Sequence, residues 1–396
     1  MNKNTKIVLA ILLGNLFIAF LGIGLIIPVL PTIMNELQIS GTVVGYLTAA
    51  FALTSLVVSP IAGRFTDKYG RKIMIILGLA TFAVSELLFG LGKTLEVLFI
   101  SRILGGVSGA FIMPAVMAYI ADITTLETRP KALGYMSAAI STGFIIGPGV
   151  GGFLAEIGTR VPFFSAAILG GVATILSIIL LKEPERAVQP EVIEQTEKKS
   201  PLKKILIPMF LIAFLILFIS SFGLAVVESF ISLYTDHKFG FSPADIAVVI
   251  TVSAIIGALS QVLLFDKMTQ WWGEIKLIRL CLVISAVFVL AITQVSNYFM
   301  IIFVITMCFV GFDLIRPAAT SYLSKIAGND QGFVGGMNSM FTSLANAIGP
   351  IIGGILFDID VDYPYYLATV FLAVALGIAL VWKKPEFKST TESIKN

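Results

Sequence analysis

Twelve stretches of the chain are each long and apolar enough to cross a lipid bilayer, and this feature constrains the fold most. About 20 apolar residues in a helix span roughly 30 Å of hydrocarbon. The predicted spans are 7–30, 43–62, 73–92, 97–120, 132–157, 161–181, 205–232, 244–265, 276–296, 298–324, 334–357 and 363–382. The sequence therefore predicts an all-α membrane protein with twelve transmembrane helices.

The composition agrees with this prediction. Of 396 residues, 57% are hydrophobic and 13% are charged, whereas soluble domains carry about 25% charged residues. The two cysteines, Cys281 and Cys308, lie inside apolar spans. This position indicates neither a disulfide framework nor a thiolate metal site, so we expect both to fill the core.

A polar segment divides the spans into two groups of six. Residues 182–204 are rich in Glu, Lys, Gln and Pro, and a segment of this composition cannot bury a core. We expect an amino-terminal six-helix bundle over 1–181 and a linker over 182–204. A carboxy-terminal six-helix bundle over 205–383 and a short tail over 384–396 follow.

The basic residues predict how the helices are oriented, because loops near helix ends on the cytoplasmic side retain Lys and Arg. All but five of the 27 basic residues fall at the two termini or in the loops that follow the second, fourth, sixth, eighth and tenth spans. The five exceptions are Lys93, Arg160 and Lys238 in the opposite loops and Arg102 and Arg316 within spans. Both termini, the linker and the tail are therefore predicted to be cytoplasmic. This asymmetry accounts for the net charge of +3, which carries no nucleic-acid signal.

The two halves resemble each other in sequence, as they do in transporters built from repeats. A shift of 202 residues superimposes Gly134 on Gly336, Ser137 on Ser339, Ser141 on Ser343, Gly147 and Pro148 on Gly349 and Pro350, and Gly151 and Gly152 on Gly353 and Gly354. A shift of 203 residues superimposes Ile112, Pro114, Ala115 and Tyr119 on Ile315, Pro317, Ala318 and Tyr322. We therefore expect two pseudo-symmetric bundles inserted in the same orientation.

Four motifs carry a resemblance to a known family. The segment 63–72 reads GRFTDKYGRK, 21–31 reads LGIGLIIPVLP, Arg102 precedes Gly106 in an R-x-x-x-G pattern, and 143–152 reads GFIIGPGVGG. Together they resemble the signatures of the drug:proton antiporter family with twelve helices within the major facilitator superfamily. The sequence looks most like the Bmr and NorA group of multidrug efflux proteins of Gram-positive bacteria.

The resemblance implies a location in the bacterial cell membrane and alternating access to a substrate site between the halves. Spans 1, 4, 7 and 10 would line the cavity. It also implies two sets of conformational residues. The first set is a cytoplasmic gate of Gly63, Asp67, Gly70 and Arg71. The second is the antiporter motif of the fifth span, Gly143, Gly147, Pro148, Gly151 and Gly152, whose glycines let two helices approach closely.

Charged residues inside spans are candidate functional groups, because inserting one at a helix centre costs on the order of 3 kcal/mol. The candidates are Glu86, Arg102, Glu228 and Asp313. Glu228 and Asp313 lie in spans that would line the cavity, so we predict that they couple transport to protons. A carboxylate in an apolar cavity can titrate reversibly because desolvation opposes its ionised form. Arg316 follows Asp313 by three residues and is a possible partner for it.

The favoured hypothesis is a proton-coupled exporter of lipophilic, often cationic compounds, including quinolone-like and dye-like molecules by resemblance. Acids attract a cation, and aromatic and aliphatic walls bury it without demanding one shape. The predicted substrate-binding residues are Phe20, Arg102, Ile140, Phe144, Glu228 and Asn346. Each of them could instead serve ordinary helix packing, and for Ile140 packing is at least as good an explanation.

Two other functions remain open at this point. A proton-linked uptake carrier for a sugar or other metabolite would have a polar cavity rich in Asn, Gln and Trp, but Trp271, Trp272 and Trp382 lie at the ends of spans, as interfacial anchors do. A membrane sensor would need an added soluble domain, and only short loops are present.

The chain has no phosphate-binding loop motif, which argues against ATP as the energy source. The single histidine, His237, is predicted in an outer loop. We expect no cofactor, no metal and a monomer in the bilayer.

Overall fold

The computed structural model describes residues 3–125, 127–184, 207–327 and 331–382. Within these ranges the chain forms helices joined by short connections. The helices are α1 (Lys3–Leu25), α2 (Leu30–Leu37), α3 (Gly41–Tyr69), α4 (Arg71–Leu91), α5 (Leu95–Ile123), α6 (Arg129–Ile157), α7 (Val161–Leu180), α8 (Pro208–Phe239), α9 (Pro243–Trp272), α10 (Glu274–Gln294), α11 (Tyr298–Ala327), α12 (Gln331–Ile359) and α13 (Tyr363–Val381). All except α2 are long and apolar enough to cross a membrane, which confirms the twelve predicted spans.

Several helices continue past the apolar window that predicted them. The helix α3 runs to Tyr69, so most of the charged segment 63–72 is helical rather than a loop. Only Gly70 interrupts it, with a φ of 104° that favours glycine. Likewise α8 continues to Phe239 and ends at Gly240 in the left-handed conformation. The prediction of His237 in a loop is therefore wrong, because this residue lies in the last turn of α8.

The short helix α2 was not predicted. It follows α1 after a turn, begins with Pro31 near its amino-terminal end, and ends at Gln38, whose φ is 53°. Its buried face consists of Pro31 and Ile33. A helix of eight residues is too short to leave a periodic signal beside a membrane span.

The helices pack as two bundles of the same design. In the amino-terminal half α1 packs on α6 and α7, α4 packs on α5 and α7, and α3 packs on α5. In the carboxy-terminal half the equivalent helices repeat these contacts, since α8 packs on α12 and α13, α10 packs on α11 and α13, and α9 packs on α11. The fold is thus two pseudo-symmetric six-helix bundles. Cys281 and Cys308 are buried in the second bundle.

The halves are joined through α3 with α12 and through α6 with α9. At one end, hydrogen bonds connect the two halves. The backbone N–H groups of Gly41 and Thr42 donate to the two Asp358 carboxylate oxygens at 2.6 and 2.9 Å. Nearby, the Asn35 amide donates to Asp236 at 3.3 Å. We call this the closed end, and the predicted topology places it outside the cell.

At the other end the halves separate and leave a cleft of about 450 Å³. Residues of both halves line it, namely Ser55, Leu56, Ser59, Pro60, Met113, Pro114 and Met117 from the first and Gly336, Ser339, Met340 and Ser343 from the second. We call this the open end. On the predicted topology this end faces the cytoplasm.

Candidate functional site

The two predicted proton-coupling acids lie on neighbouring helices of the carboxy-terminal half. Glu228 on α8 is exposed, whereas Asp313 on α11 is partly buried. The Asp313 carboxylate lies against Gly257 of α9, where an added methyl group would overlap it. The charge of Glu228 interacts with that of Asp313. The two acids therefore form one electrostatic cluster.

Arg316 completes this cluster in a way that the sequence spacing did not show. Its position three residues after Asp313 made it a candidate partner for that acid. In the structure Arg316 is exposed and its charge interacts favourably with Glu228 on the adjacent helix. The cation that faces Glu228 thus comes from α11, and spacing along α8 alone could not reveal it.

Arg102 lies apart from this cluster, inside the amino-terminal half. Its Nη2 is 3.6 Å from Oε1 of Glu86, and both side chains are buried, with exposed fractions of 11% and 3%. The guanidinium carbon lies 4.4 Å from the centre of the Phe89 ring, a distance typical of a cation–π contact. Glu86 and the Phe89 ring therefore hold Arg102 within the bundle.

The predicted aromatic walls do meet. The ring centroids of Phe20 on α1 and Phe144 on α6 are 5.0 Å apart with an interplanar angle of 59°, an arrangement that aromatic pairs favour. Phe144 remains 40% exposed. Ile140, one turn before it, and Phe20 pack against the same buried cluster. Asn346, which follows Phe144 by 202 residues, is exposed on α12.

The predicted gate is centred on Arg71, the first residue of α4. Its Nη1 lies 3.3 Å from the exposed Asp67 carboxylate and donates to the Thr66 carbonyl at 3.0 Å. The shortest ion pair of Arg71 is instead with Asp122 at the end of α5, where Nε and Oδ2 are 2.8 Å apart. The Asp122 side chain is only 5% exposed. Asp122 was not predicted as a gate residue, because it lies 51 residues from Arg71 along the chain.

A second missed residue, Glu183, caps the gate helix. Its two carboxylate oxygens accept the backbone N–H groups of Arg71 and Lys72 at 2.6 and 2.9 Å. An acid in this place satisfies free amide groups and complements the positive end of the helix dipole. It also packs against Gly70, where any side chain would collide with it. Gly63, by contrast, has open space beside its Cα.

The carboxy-terminal half contains an equivalent of this gate. Glu274, the first residue of α10, forms an ion pair with Lys325 near the end of α11 and accepts a hydrogen bond from Ser321 at 3.2 Å. Gly273, with a φ of 76°, precedes Glu274 as Gly70 precedes Arg71. The shift of 203 residues that relates the fourth and tenth spans also relates Arg71 to Glu274 and Asp122 to Lys325. The sequence repeat could therefore have predicted this pair.

The glycines of the antiporter motif on α6 face two different neighbours. Methyl groups at Gly143, Gly147 and Gly151 would collide with the backbone of α1, whereas one at Gly152 would collide with Pro243 and Ala247 of α9. The first three therefore allow close packing within a bundle. Gly152 instead allows close packing between the halves. Pro148 lies within the helix, against Gly24 of α1.

Comparisons of the sequence with known proteins agree with this architecture. The model of the Major Facilitator Superfamily matches residues 12–264 and 213–396. Multidrug resistance protein 1 of Bacillus subtilis (strain 168) is 64% identical over 383 residues, covering 97% of this chain and 98% of the relative. Multidrug resistance protein 2 of the same strain is 51% identical, covering 96% of each chain. Quinolone resistance protein NorA of Staphylococcus aureus (strain COL) is 42% identical, covering 96% of this chain and 97% of the relative.

Solved structures show the same fold at low sequence identity. A bacterial homologue of the human lysosomal transporter Spinster, in an inward-facing and unoccupied conformation, has a TM-score of 0.80 with 17% identity, covering 96% of this chain and 97% of the other. A point mutant of the nucleoside transporter NupG has a TM-score of 0.76 with 14% identity, covering 94% of this chain and 99% of the other.

Proposed function

Because the chain belongs to the Major Facilitator Superfamily, we propose that it is a multidrug exporter that uses the proton gradient. The relatives with 64% and 51% identity are named multidrug resistance proteins, and a third is named for quinolone resistance. A carrier of this superfamily moves its substrate across the membrane, so the chain is a transporter and not an enzyme. Lipophilic, often cationic compounds are the proposed cargo.

The cluster of Glu228, Asp313 and Arg316 is the observation that carries this proposal. A transmembrane acid is costly, and natural sequences retain it where it moves ions or substrates. Here two acids and one cation interact on facing helices of the carboxy-terminal half. Removing one negative charge by protonation changes which partner Arg316 attracts. The cluster can therefore respond both to protons and to a cationic substrate.

The aromatic pair of Phe20 and Phe144 supports a lipophilic substrate. Phe144 keeps 40% of its surface exposed although it is packed against Phe20. An exposed aromatic face beside a cavity gains from covering by an apolar molecule, since burial of apolar surface is favourable and has no directional demand. Ile140 and Asn346 are proposed to extend this surface along α6 and α12.

Export follows from a change between two arrangements of the halves. The structure is locked at the closed end by Asp358 and open at the other end. Alternating access requires the closed end to part and the open end to close around a fixed site. We propose Gly63, Asp67, Gly70 and Arg71 as the gate at the open end.

The setting is proposed from the charge distribution and from the organisms of the relatives. The protein would lie in the bacterial cell membrane as a monomer, with both termini in the cytoplasm. The bundles would comprise 1–181 and 205–383, joined by a linker over 182–204 and followed by a tail over 384–396. Most of the linker and all of the tail lie outside the described residues.

The uptake-carrier alternative depended on a Trp-rich cavity. Trp271 and Trp272 are exposed in the last turn of α9, and Trp382 follows α13. These positions match interfacial anchors, so no tryptophan supports a sugar-type site. Export remains the better-supported function.

A reconstituted system tests the proposal. Proteoliposomes with a pH gradient imposed across their membrane should accumulate a lipophilic cationic dye in their lumen. Glu228→Gln and Asp313→Asn should each abolish this accumulation, because a neutral side chain cannot exchange a proton for the substrate. Glu156→Gln, at an exposed acid near the end of α6, is the matched control and should transport normally. If both variants accumulate dye with unchanged pH dependence, the coupling assignment fails.

A further inference from the structure

The amino-terminal half contains a small cavity whose two charged residues, Glu86 and Arg102, have no part in the proposed proton coupling by Glu228 and Asp313. Its volume is about 30 Å³, and Glu86 of α4 and Arg102 of α5 contribute to its wall. Aromatic and aliphatic side chains supply most of the remainder, including Phe20, Phe51 and Met113. Glu86 is only 2% exposed. A charged pair therefore faces a small, mostly apolar space.

The hydrogen bonds of this pair are incomplete. Oε2 of Glu86 and the Nε and Nη2 atoms of Arg102 are buried without a hydrogen-bond partner among the described residues. The distance of 3.6 Å between Nη2 and Oε1 exceeds that of a hydrogen bond. Buried polar atoms without partners are rare in folded proteins, because each forfeits its hydration. Three such atoms around one cavity require an explanation.

A water molecule meets this requirement. A cavity holds one water when it offers at least about 10–15 Å³ to the probe centre and two to four polar partners. The cavity satisfies both conditions. A water there can accept a hydrogen bond from Arg102 and donate one to Oε2 of Glu86.

We propose that one water molecule bridges Glu86 and Arg102, and that this hydrated pair is a protonation site separate from Glu228 and Asp313. A proton delivered through the water would bind Oε2 of Glu86 and leave Arg102 as the remaining charge. The Phe89 ring, 4.4 Å from the guanidinium carbon, then stabilises the unpaired cation.

The surroundings of Glu86 favour this role. Arg102 from α5 is the charged group that meets Glu86, while the lining residues from α1 and α3 are Ala19, Phe20, Ile23 and Phe51. Met113 lines both this cavity and the cleft at the open end. Water can therefore approach the pair past Met113 from the side that the topology predicts to be cytoplasmic.

Two measurements without any transport step test the proposal. A cryo-EM map that resolves ordered water molecules should show density for one of them in this cavity, between Oε2 of Glu86 and the Arg102 guanidinium. Infrared difference spectra across a pH titration in lipid should show a carboxyl band that Glu86→Gln removes and that Glu228→Gln and Asp313→Asn both retain. A dry cavity in such a map, or a set of bands unchanged by Glu86→Gln, overturns the proposal.

A second variant covers the case in which Glu86→Gln fails to fold, since it leaves Arg102 buried without its carboxylate. The double variant Glu86→Gln/Arg102→Gln removes both charges and keeps polar atoms of similar size. It should fold, as judged by its thermal unfolding in detergent, and lack the same band. If the double variant retains that band, the protonated group lies elsewhere. Because no step requires export, failure here leaves the assignment of Glu228 and Asp313 untouched.

Discussion

Glu274 occupies the position in the carboxy-terminal half that Arg71 occupies in the amino-terminal half, and the two residues carry opposite charges. Each is the first residue of its helix, follows a glycine of positive φ, and pairs with a residue near the end of the next helix. The partners are inverted as well, since Lys325 replaces Asp122 at the same shift of 203 residues. The repeat has therefore kept the ion pair and reversed its polarity.

The reversal changes how each pair interacts with the helix dipoles. An acid at a helix amino terminus and a base at a carboxy terminus are favourable, each by about 0.3–1 kcal/mol. The pair of Glu274 and Lys325 meets both conditions. The pair of Arg71 and Asp122 meets neither, and it depends on Glu183 to cap α4. The helix dipoles therefore stabilise the charges of the second pair and not those of the first.

The first prediction is that Asp122→Asn slows transport more than Asp67→Asn does. Asp122 is buried against Arg71 at 2.8 Å, whereas Asp67 is 74% exposed and 3.3 Å away. We expect dye export by Asp122→Asn to fall roughly tenfold, equivalent to about 1.4 kcal/mol, and that by Asp67→Asn to fall less. Initial export rates and dye affinity in purified protein should be measured together. Both variants should bind dye normally, since the gate lies far from the aromatic pair, and a parallel loss of affinity would contradict the gate assignment.

The second prediction concerns the inverted pair. The double variant Glu274→Lys/Lys325→Glu keeps an ion pair but opposes both helix dipoles. We expect it to lose roughly 1 kcal/mol of stability, measured as a lower midpoint of thermal unfolding in detergent. The single variant Glu274→Gln retains Lys325 without a carboxylate and serves as the comparison. A double variant as stable as the wild type would show that the dipoles contribute nothing here.

Most ends of the predicted spans lie within a few residues of the helix ends, because the thickness of the bilayer fixes the length of an apolar helix. The predicted ends are wrong where a helix continues beyond the apolar window. The windows ended at 62 and 232, whereas α3 and α8 run on to Tyr69 and Phe239. These extensions carry polar residues, so hydropathy does not register them, and each of the two helices is followed by a glycine of positive φ, Gly70 or Gly240.

Side-chain partners were harder to predict than helices. Asp67 and Arg71, predicted together as gate residues, form an ion pair in the structure, because residues four apart meet on one helical face. Asp122 lies on α5 and Glu183 follows the end of α7, so their approach to Arg71 depends on how α5 and α7 pack against α4. Arg316 shows the same limit, since its proximity to Glu228 arises from the packing of α8 and α11. Phe20 and Phe144 were predicted separately as substrate-binding residues, and the structure shows that they are in contact. Their role in substrate binding stays a prediction.

The third prediction uses the contact between Gly257 and Asp313. Gly257→Ala would place a methyl group on the Asp313 carboxylate, so this side chain must move. We expect gradient-driven export to collapse and the pH dependence of dye binding to change, because the acid cluster is displaced. Gly134→Ala is the control, since nothing lies within 4 Å of the added methyl group. Normal export by Gly257→Ala would show that export does not require the Asp313 carboxylate to keep its observed position.

The fourth prediction tests the closed end. Gly152→Ala would press on Pro243 and Ala247, and the equivalent Gly354→Ala would press on the Gly41 carbonyl. Each should push the halves apart there and favour the state that is open to the outside. Spin labels on cysteines placed at Lys93 and Ser296, exposed residues of different halves near this end, should report a longer distance in both variants. The two native cysteines are fully buried, so labelling should remain specific to the introduced sites. Gly377→Ala is the control, since its added methyl group meets nothing within 4 Å, and it should leave the distance unchanged. If Gly152→Ala and Gly354→Ala also leave the distance unchanged, close packing at these two glycines does not hold the closed end together.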